Sequence, residues 1–249
     1  MTYCVGMLLD EGLVMAADTR TNAGVDNVGK FKKLHTWQKP GESLFVLLTA
    51  GNLAVTQAVV SLLNEGTKSK KSKSAEDNLF TAKTMFQAVR IVGRAIREVK
   101  KIEGEALSPT SDAFASSYIF AGQIGRERPR LFQLYAEGNF IEATTDTPFF
   151  QIGEHKYGKP VLDRAITYQT DLYDALKIGL ISMDSTMRSN LGVGMPIDLM
   201  VARRDVCDAE LTYRIEPGEP YFHDLRERWS AALRAAHMAI PRPPYANMK

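Results

Sequence analysis

Between residues 79 and 103 the apolar side chains Met85, Val89, Val92, Ile96 and Val99 recur at alternating steps of four and three, which lines them along one face of a helix. A helix of this kind gains most of its stability by burying its stripe, so the chain must supply a broad apolar surface to receive it. Strand-like segments can do so. Residues 2–9 and 12–17 are largely apolar and are separated by the turn signal Asp10-Glu11-Gly12, which predicts a hairpin at the N-terminus. Residues 43–50 (SLFVLLTA) read as a buried strand that stops at Gly51-Asn52 and runs into a helix over 53–64.

Further strands are predicted over 115–123, 130–136, 149–152, 197–203 and 210–215, and further helices over 159–168, 172–188 and 221–238. Strands come in groups separated by pairs of helices, an order that suits an α+β layered fold of antiparallel strands better than alternating βαβ units. Segment 66–78 carries Lys68, Lys70, Lys71 and Lys73 among serines; it cannot bury a core and is expected to be an exposed loop. The tail 241–249, PRPPYANMK, is expected to be extended because proline blocks helix. With 249 residues, 45% of them hydrophobic, the chain is expected to form a single domain over 1–249.

A net charge of +2 gives no global pull towards nucleic acid or membrane, and no apolar run approaches the roughly 20 residues that span a bilayer. Cys4 and Cys207 are too few for a disulfide framework, which fits a reducing cytoplasm. His35, His155, His223 and His237 are scattered without metal-ligand spacing, and no glycine loop cradles a phosphate. No cofactor is therefore expected, and any ATP dependence belongs to a separate ATPase unfoldase.

The chemistry starts at Thr2. A threonine that opens a mature chain has its hydroxyl beside a free α-amine that can act as its own general base, and the small side chain of Thr2 favours removal of Met1. No propeptide is visible. Many chains begin Met-Thr for no catalytic reason, so position two alone decides nothing. Asp18 and Lys33 taken by themselves read as an ordinary ion pair, and Gly51 as a tight turn. Cys4, two residues beyond Thr2 on the same strand face, reads as a buried structural thiol.

The segments MAADTRTNAG, KFKKLH and LLTAGNLA sharpen the picture, because with Thr2 they resemble proteasome β subunits and the related bacterial peptidase of the heat-shock protease complex. The start MTYCVG and the late run DSTMRSNL resemble the bacterial Anbu branch, the ancestral β subunits. The resemblance covers most of the chain and is weakest at the Lys-rich segment and the tail. It implies a four-layer αββα sandwich of the N-terminal-nucleophile hydrolase type. Thr2 then matches the nucleophile, Asp18 the acid, Arg20 its neighbouring arginine and Lys33 the lysine that keeps the amine neutral. Ala50-Gly51 matches the oxyanion-hole junction. The stretch 24–33 is one residue shorter than usual, which leaves Lys32 as an alternative to Lys33. Thr21 and Asn22 would pair with an extended substrate, and Phe31, Thr49 and Leu53 would line the first specificity pocket.

Two departures bear on activity. The family's glycine-serine near the amine is Gly153-Glu154 here, and its helix-end arginine-aspartate with a following serine is Arg188-Ser189 with Gly192. A carboxylate at Glu154 would favour the protonated amine unless Lys32, Lys33 or His155 compensates. The resemblance implies a threonine endopeptidase acting on unfolded proteins or peptides and assembled into a large homo-oligomer, as a ring or spiral. Two other readings stay open: a small-amide hydrolase, and a non-hydrolytic, peptide-binding scaffold.

Overall fold

A computed structural model describes residues 1–22, 28–68, 78–103 and 115–247. Twelve strands and five α-helices are assigned among the described residues. In chain order they are β1 (Tyr3–Leu9), β2 (Gly12–Asp18), β3 (Arg20–Asn22), β4 (Val28–Lys30), β5 (Leu34–Lys39), β6 (Ser43–Gly51), α1 (Leu53–Lys68), α2 (Met85–Glu103), β7 (Ser116–Ile124), β8 (Arg130–Leu134), β9 (Phe140–Glu142), β10 (Phe149–Gly153), α3 (Lys159–Ala165), α4 (Leu172–Ser189), β11 (Ile197–Arg203), β12 (Leu211–Ile215) and α5 (Pro220–Ala239). One sheet has the order β10-β1-β2-β11-β12 and the other β5-β6-β7-β8-β9; β3 and β4 form a separate ribbon. The neighbouring strands are antiparallel.

Side chains alternate across a strand, and here both faces are apolar. In the β1–β2 hairpin Tyr3, Val5, Met7, Val14 and Ala16 face a core shared with Leu176, Leu180 and Met183 of α4 and Phe222 of α5. Cys4, Leu8, Leu13, Met15 and Ala17 face the opposite way, into a core shared with Leu44, Val46 and Leu48 of β6 and Ile119 and Ala121 of β7. On the far side of β6 and β7, Phe45, Leu47, Tyr118 and Phe120 meet α1 and the stripe of α2, where Met85, Val89, Val92, Ile96 and Val99 are all buried. Each large apolar side chain of that stripe contributes about 1.5–3 kcal/mol on burial.

Several sequence expectations are corrected. The helix expected over 79–103 begins only at Met85. Asn78 caps a separate 3₁₀ turn, Leu79–Thr81, and Ala82 is extended. A capping pair restarts the chain as α2: Thr84 Oγ1 accepts from the Gln87 N–H at 3.2 Å, and Gln87 Oε1 accepts from the Lys83 N–H at 2.8 Å. Helix α1 runs on to Lys68, into the segment expected to be loop; residues 69–77 of that segment lie outside the described residues. The tail contains a 3₁₀ turn, Pro244–Asn247. Strands β3, β4, β5 and β9 complete the sheets and ribbon without having been predicted. No described helix is long and apolar enough to cross a membrane.

Candidate active site

The antiparallel pairing of β1 and β2 brings Asp18, at the end of β2, against the start of β1. The Asp18 side chain is fully buried, and its Oδ1 accepts from the backbone N–H of Tyr3 at 2.9 Å and from Lys33 Nζ at 2.8 Å. Its Oδ2 accepts from the Gly194 N–H at 3.2 Å. Burial pushes the Asp18 carboxyl up from the ordinary carboxylate range, against the downward pull of the Lys33 ammonium and the two backbone donors.

Lys33 is also buried, and its ammonium donates to the Arg20 carbonyl at 2.6 Å. It lies 3.5 Å from the carbonyl oxygen of Met1, the group bonded to the Thr2 nitrogen. Lys32, the alternative from sequence, is exposed. A cation therefore sits at the nitrogen end of Thr2, and Lys33 supplies it.

Thr2 is held from its other end. The Glu154 N–H donates to the Thr2 carbonyl at 2.7 Å, and Tyr3 pairs with Gly153. Gly153 adopts φ +81°, and a Cβ there would run into the Thr2 carbonyl. The Tyr3 hydroxyl lies 2.5 Å from Ser182 Oγ and accepts from Gln151 Nε2; burial pushes this phenol up to about 12. The start of β1 is thus pinned on both sides of its backbone.

A cleft of about 310 Å³ opens beside these groups, walled by Thr2, Thr21, Lys33, Thr49, Gly51 and Leu53, together with Met1, Ala50, Asn52 and Thr56. Gly51 ends β6 at φ +107°, and a Cβ on it would collide with the Ala115 carbonyl. Asn52 caps α1, its side-chain oxygen accepting from the Ala54 N–H at 2.9 Å. The positive end of the α1 dipole therefore faces the cleft, where negative charge is stabilised. A larger recess of about 730 Å³ follows β10 past Phe149, Gln151 and His155, and neither Thr2 nor Lys33 lines it.

Not every residue singled out from sequence joins this group. Phe31 is 39% exposed and is not a wall of the cleft; an added Cβ on Gly29 would lie 2.7 Å from its ring. Asn22 ends β3, and its side chain lies outside the described residues. Arg20 acts from behind, donating to the Leu191 carbonyl at 3.0 Å and packing on Gly194 so closely that a Cβ there would overlap its guanidinium. Ser189 is exposed at the end of α4; the next residue, Asn190, reaches the site in its place. Asn190 Nδ2 donates to Glu154 Oε2 at 2.9 Å, and its Oδ1 accepts from the Gly192 N–H at 2.9 Å. The cation paired with Glu154 is Lys156, at 3.4 Å, and not Lys32, Lys33 or His155. Cys4 is buried, its thiol 3.7 Å from the Thr49 carbonyl, and burial pushes that thiol up.

Gly194 was missed as a contributor because it lies far from Thr2 in sequence and carries no motif of its own; Asn190 lies within the DSTMRSNL run, but Ser189 and Gly192 were the positions singled out beside it. Asn52, an Asn directly before a helix, did carry a readable N-cap signal.

No protein-family model matches the chain, and no curated protein matches it. Solved structures do. The Gly-1 mutant of Anbu from Hyphomicrobium sp. strain MC1 is 54% identical, with 98% of this chain and 99% of that one covered at a TM-score of 0.91. Anbu (ancestral beta-subunit) from Yersinia bercovieri is 45% identical, covering 97% and 98% at 0.90. A helical assembly of the Anbu complex from Pseudomonas aeruginosa is 43% identical, covering 98% and 99% at 0.90. Identity at this level over nearly the full length of both chains, on one fold, places the chain in the Anbu family of ancestral proteasome-like β subunits.

Proposed function

We propose that this chain is a threonine peptidase of the proteasome type, built as a four-layer αββα sandwich, with Thr2 as nucleophile once Met1 is removed. The single observation that carries the reading is the Lys33 ammonium, fixed on Asp18 and 3.5 Å from the carbonyl attached to the Thr2 nitrogen. A cation about 4 Å from an amine, at an effective dielectric of about 20, disfavours its protonation by on the order of 4 kcal/mol before screening. The freed α-amine is then a neutral base.

In the first half-reaction Thr2 Oγ1 bonds to the scissile carbonyl carbon while its proton passes to the α-amine. The oxyanion rests on the Gly51 N–H at the head of α1. Collapse breaks the C–N bond, and the amine's proton leaves on the departing nitrogen. Water then attacks the ester with the same amine as base, which releases the acid and restores Thr2. Thr21 and Asn22 pair with the peptide backbone. Thr49 and Leu53 line a cleft near the lower end of the size range of ligand pockets, which suits one substrate side chain.

The substrate class is unfolded protein or peptide, delivered where needed by a separate ATPase unfoldase, in the cytoplasm. Self-association into a large homo-oligomer, ring or spiral, is supported by the helical assembly of the Pseudomonas aeruginosa relative. One observation favours a non-hydrolytic scaffold instead. Glu154, whose backbone N–H holds the Thr2 carbonyl, puts a carboxylate on Asn190 where the family resemblance implies a hydroxyl, and Asn190 in turn holds Gly192, which packs on Met1.

Intact-mass analysis with an electrophile directed at N-terminal threonine separates the two readings. A chain lacking Met1 that gains an adduct, lost in Thr2→Ala, is the outcome for a peptidase. Retained Met1 with no adduct would leave the scaffold.

A further inference from the structure

Helix α5 is anchored at one end only. Phe222 and Leu225 are buried against α4, and Arg226 Nε pairs with the buried Asp184 of α4 at 2.5 Å. Beyond Ser230 the support stops: every residue from Ala231 to Tyr245 is exposed, including Leu233 at 51%, Met238 at 78%, Ile240 at 70% and Tyr245 at 70%. This arm, AALRAAHMAIPRPPY, contains no acid and is mostly apolar. A contiguous exposed run of that composition is unusual on a free surface.

The anchored part of α5 has the opposite deficit. Between α4 and α5 runs a groove of about 250 Å³ floored by Ile181, Leu225 and Trp229, with Lys177, Asp224 and Arg228 on its rim, and reaching only Ala232 of the arm. The arm cannot fill its own groove. Helix α5 is continuous from Pro220 to Ala239, so at about 1.5 Å per residue Ile240 lies roughly 12 Å beyond Ala232, along the axis and away from the groove. Charge at the rim is already balanced, Asp224 being paired with Arg228 and Lys177 with Asp174, so what the groove offers the arm is apolar surface.

We propose that the α5 arm of one protomer docks in the α4–α5 groove of a second copy of this chain. The inference rests on the self-association proposed above and assigns it a surface. One contact covers both the exposed apolar end and the open apolar groove, and both come from the same sequence, as an interface between identical chains requires.

The test is mass photometry over a dilution series on three full-length proteins: wild type, an arm variant (Leu233→Glu with Met238→Glu and Ile240→Glu) and a groove variant (Trp229→Arg). The arm substitutions fall on exposed positions, and circular dichroism checks that each variant folds. Wild type should assemble, and each variant alone should need at least about tenfold more protein to do so. Mixing the two variants should recover part of the loss, because the mixture pairs one intact arm with one intact groove. Unchanged assembly of the arm variant would overturn this surface and leave self-association standing. Wild type that stays monomeric throughout would overturn both. Monomers that float with vesicles of anionic lipid would overturn the proposal in favour of a membrane-surface helix.

Discussion

Lys33 Nζ and Asp18 Oδ1 lie 2.8 Å apart, both side chains out of water, in a pair whose carboxylate also holds the N–H of Tyr3, the residue after Thr2. Removing one partner of such a pair leaves a buried charge uncompensated. Lys33→Met should therefore destabilise the fold by about 3–5 kcal/mol, and adding Asp18→Asn should restore much of that loss. Labelling at Thr2 should fall by about 10²–10⁴-fold in both proteins, because neither holds a cation at the amine. Thermal unfolding set against adduct formation checks this; full labelling of the double variant would show that the ion pair is structural.

Gly153 and Gly218 both adopt positive φ, +81° and +90°. Their surroundings differ: a Cβ at Gly153 would overlap the Thr2 carbonyl, and one at Gly218 meets nothing within 4 Å. Gly218→Ala should cost only backbone strain, on the order of 1 kcal/mol. Gly153→Ala should cost more and should also slow Thr2 labelling, since it moves the backbone of Thr2, the proposed nucleophile. Equal stability losses, with no change in labelling, would mean that β10 gives way instead of β1.

The layers were legible where the pattern was periodic. The stripe from Met85 to Val99 announced α2, and the unbroken apolar runs of β1, β2 and β6 announced strands buried on both faces. Three-residue strands such as β3, β4 and β9 are too short to show a period, and the Thr84–Gln87 capping pair was hidden inside a longer amphipathic pattern. The group at Thr2 was legible only through its resemblance to a family, because Asp18 and Lys33 are ordinary residues until the hairpin brings them together. Gly194, which donates to Asp18 across 176 residues of sequence, had no local signal at all. Of the three pocket residues that the resemblance implied, Thr49 and Leu53 wall the cleft, and Phe31 stands outside it with an exposed ring.

His35 on β5 is pushed down from an ordinary 6.5 to about 4, chiefly by burial and then by the neighbouring Lys32, with the Lys32 backbone and Asp198 pulling the other way. The folded protein thus keeps a neutral imidazole over a range in which the unfolded chain binds a proton. Stability should fall as pH drops from about 6.5 to about 4, by about 2 kcal/mol once partial exposure is discounted from roughly 1.4 kcal/mol per unit. The difference in unfolding free energy between wild type and His35→Gln should carry this slope and flatten above pH 7. A parallel pair of pH profiles would sink the assignment.

Gly192 makes the state of the N-terminus measurable without any substrate. A Cβ at this position would lie 2.6 Å from Met1 Cβ and 2.8 Å from Met1 Cγ, whereas its next contact, Asn190 Oδ1, is at 3.0 Å and belongs to a side chain that can adjust. While Met1 is present, Gly192→Ala is an overpacking change, expected to cost about 1–3 kcal/mol. Once Met1 is gone the two tightest contacts vanish, and the same substitution should cost much less. Four melting temperatures decide the matter: wild type and Gly192→Ala, each with Met1 removed and each with Met1 kept by inhibiting methionine aminopeptidase during expression. The variant should fall further below wild type in the Met1-bearing pair. Identical shifts in both pairs would mean that Met1 does not occupy the space beside Gly192, and the cleft walls would then need another account at their N-terminal end.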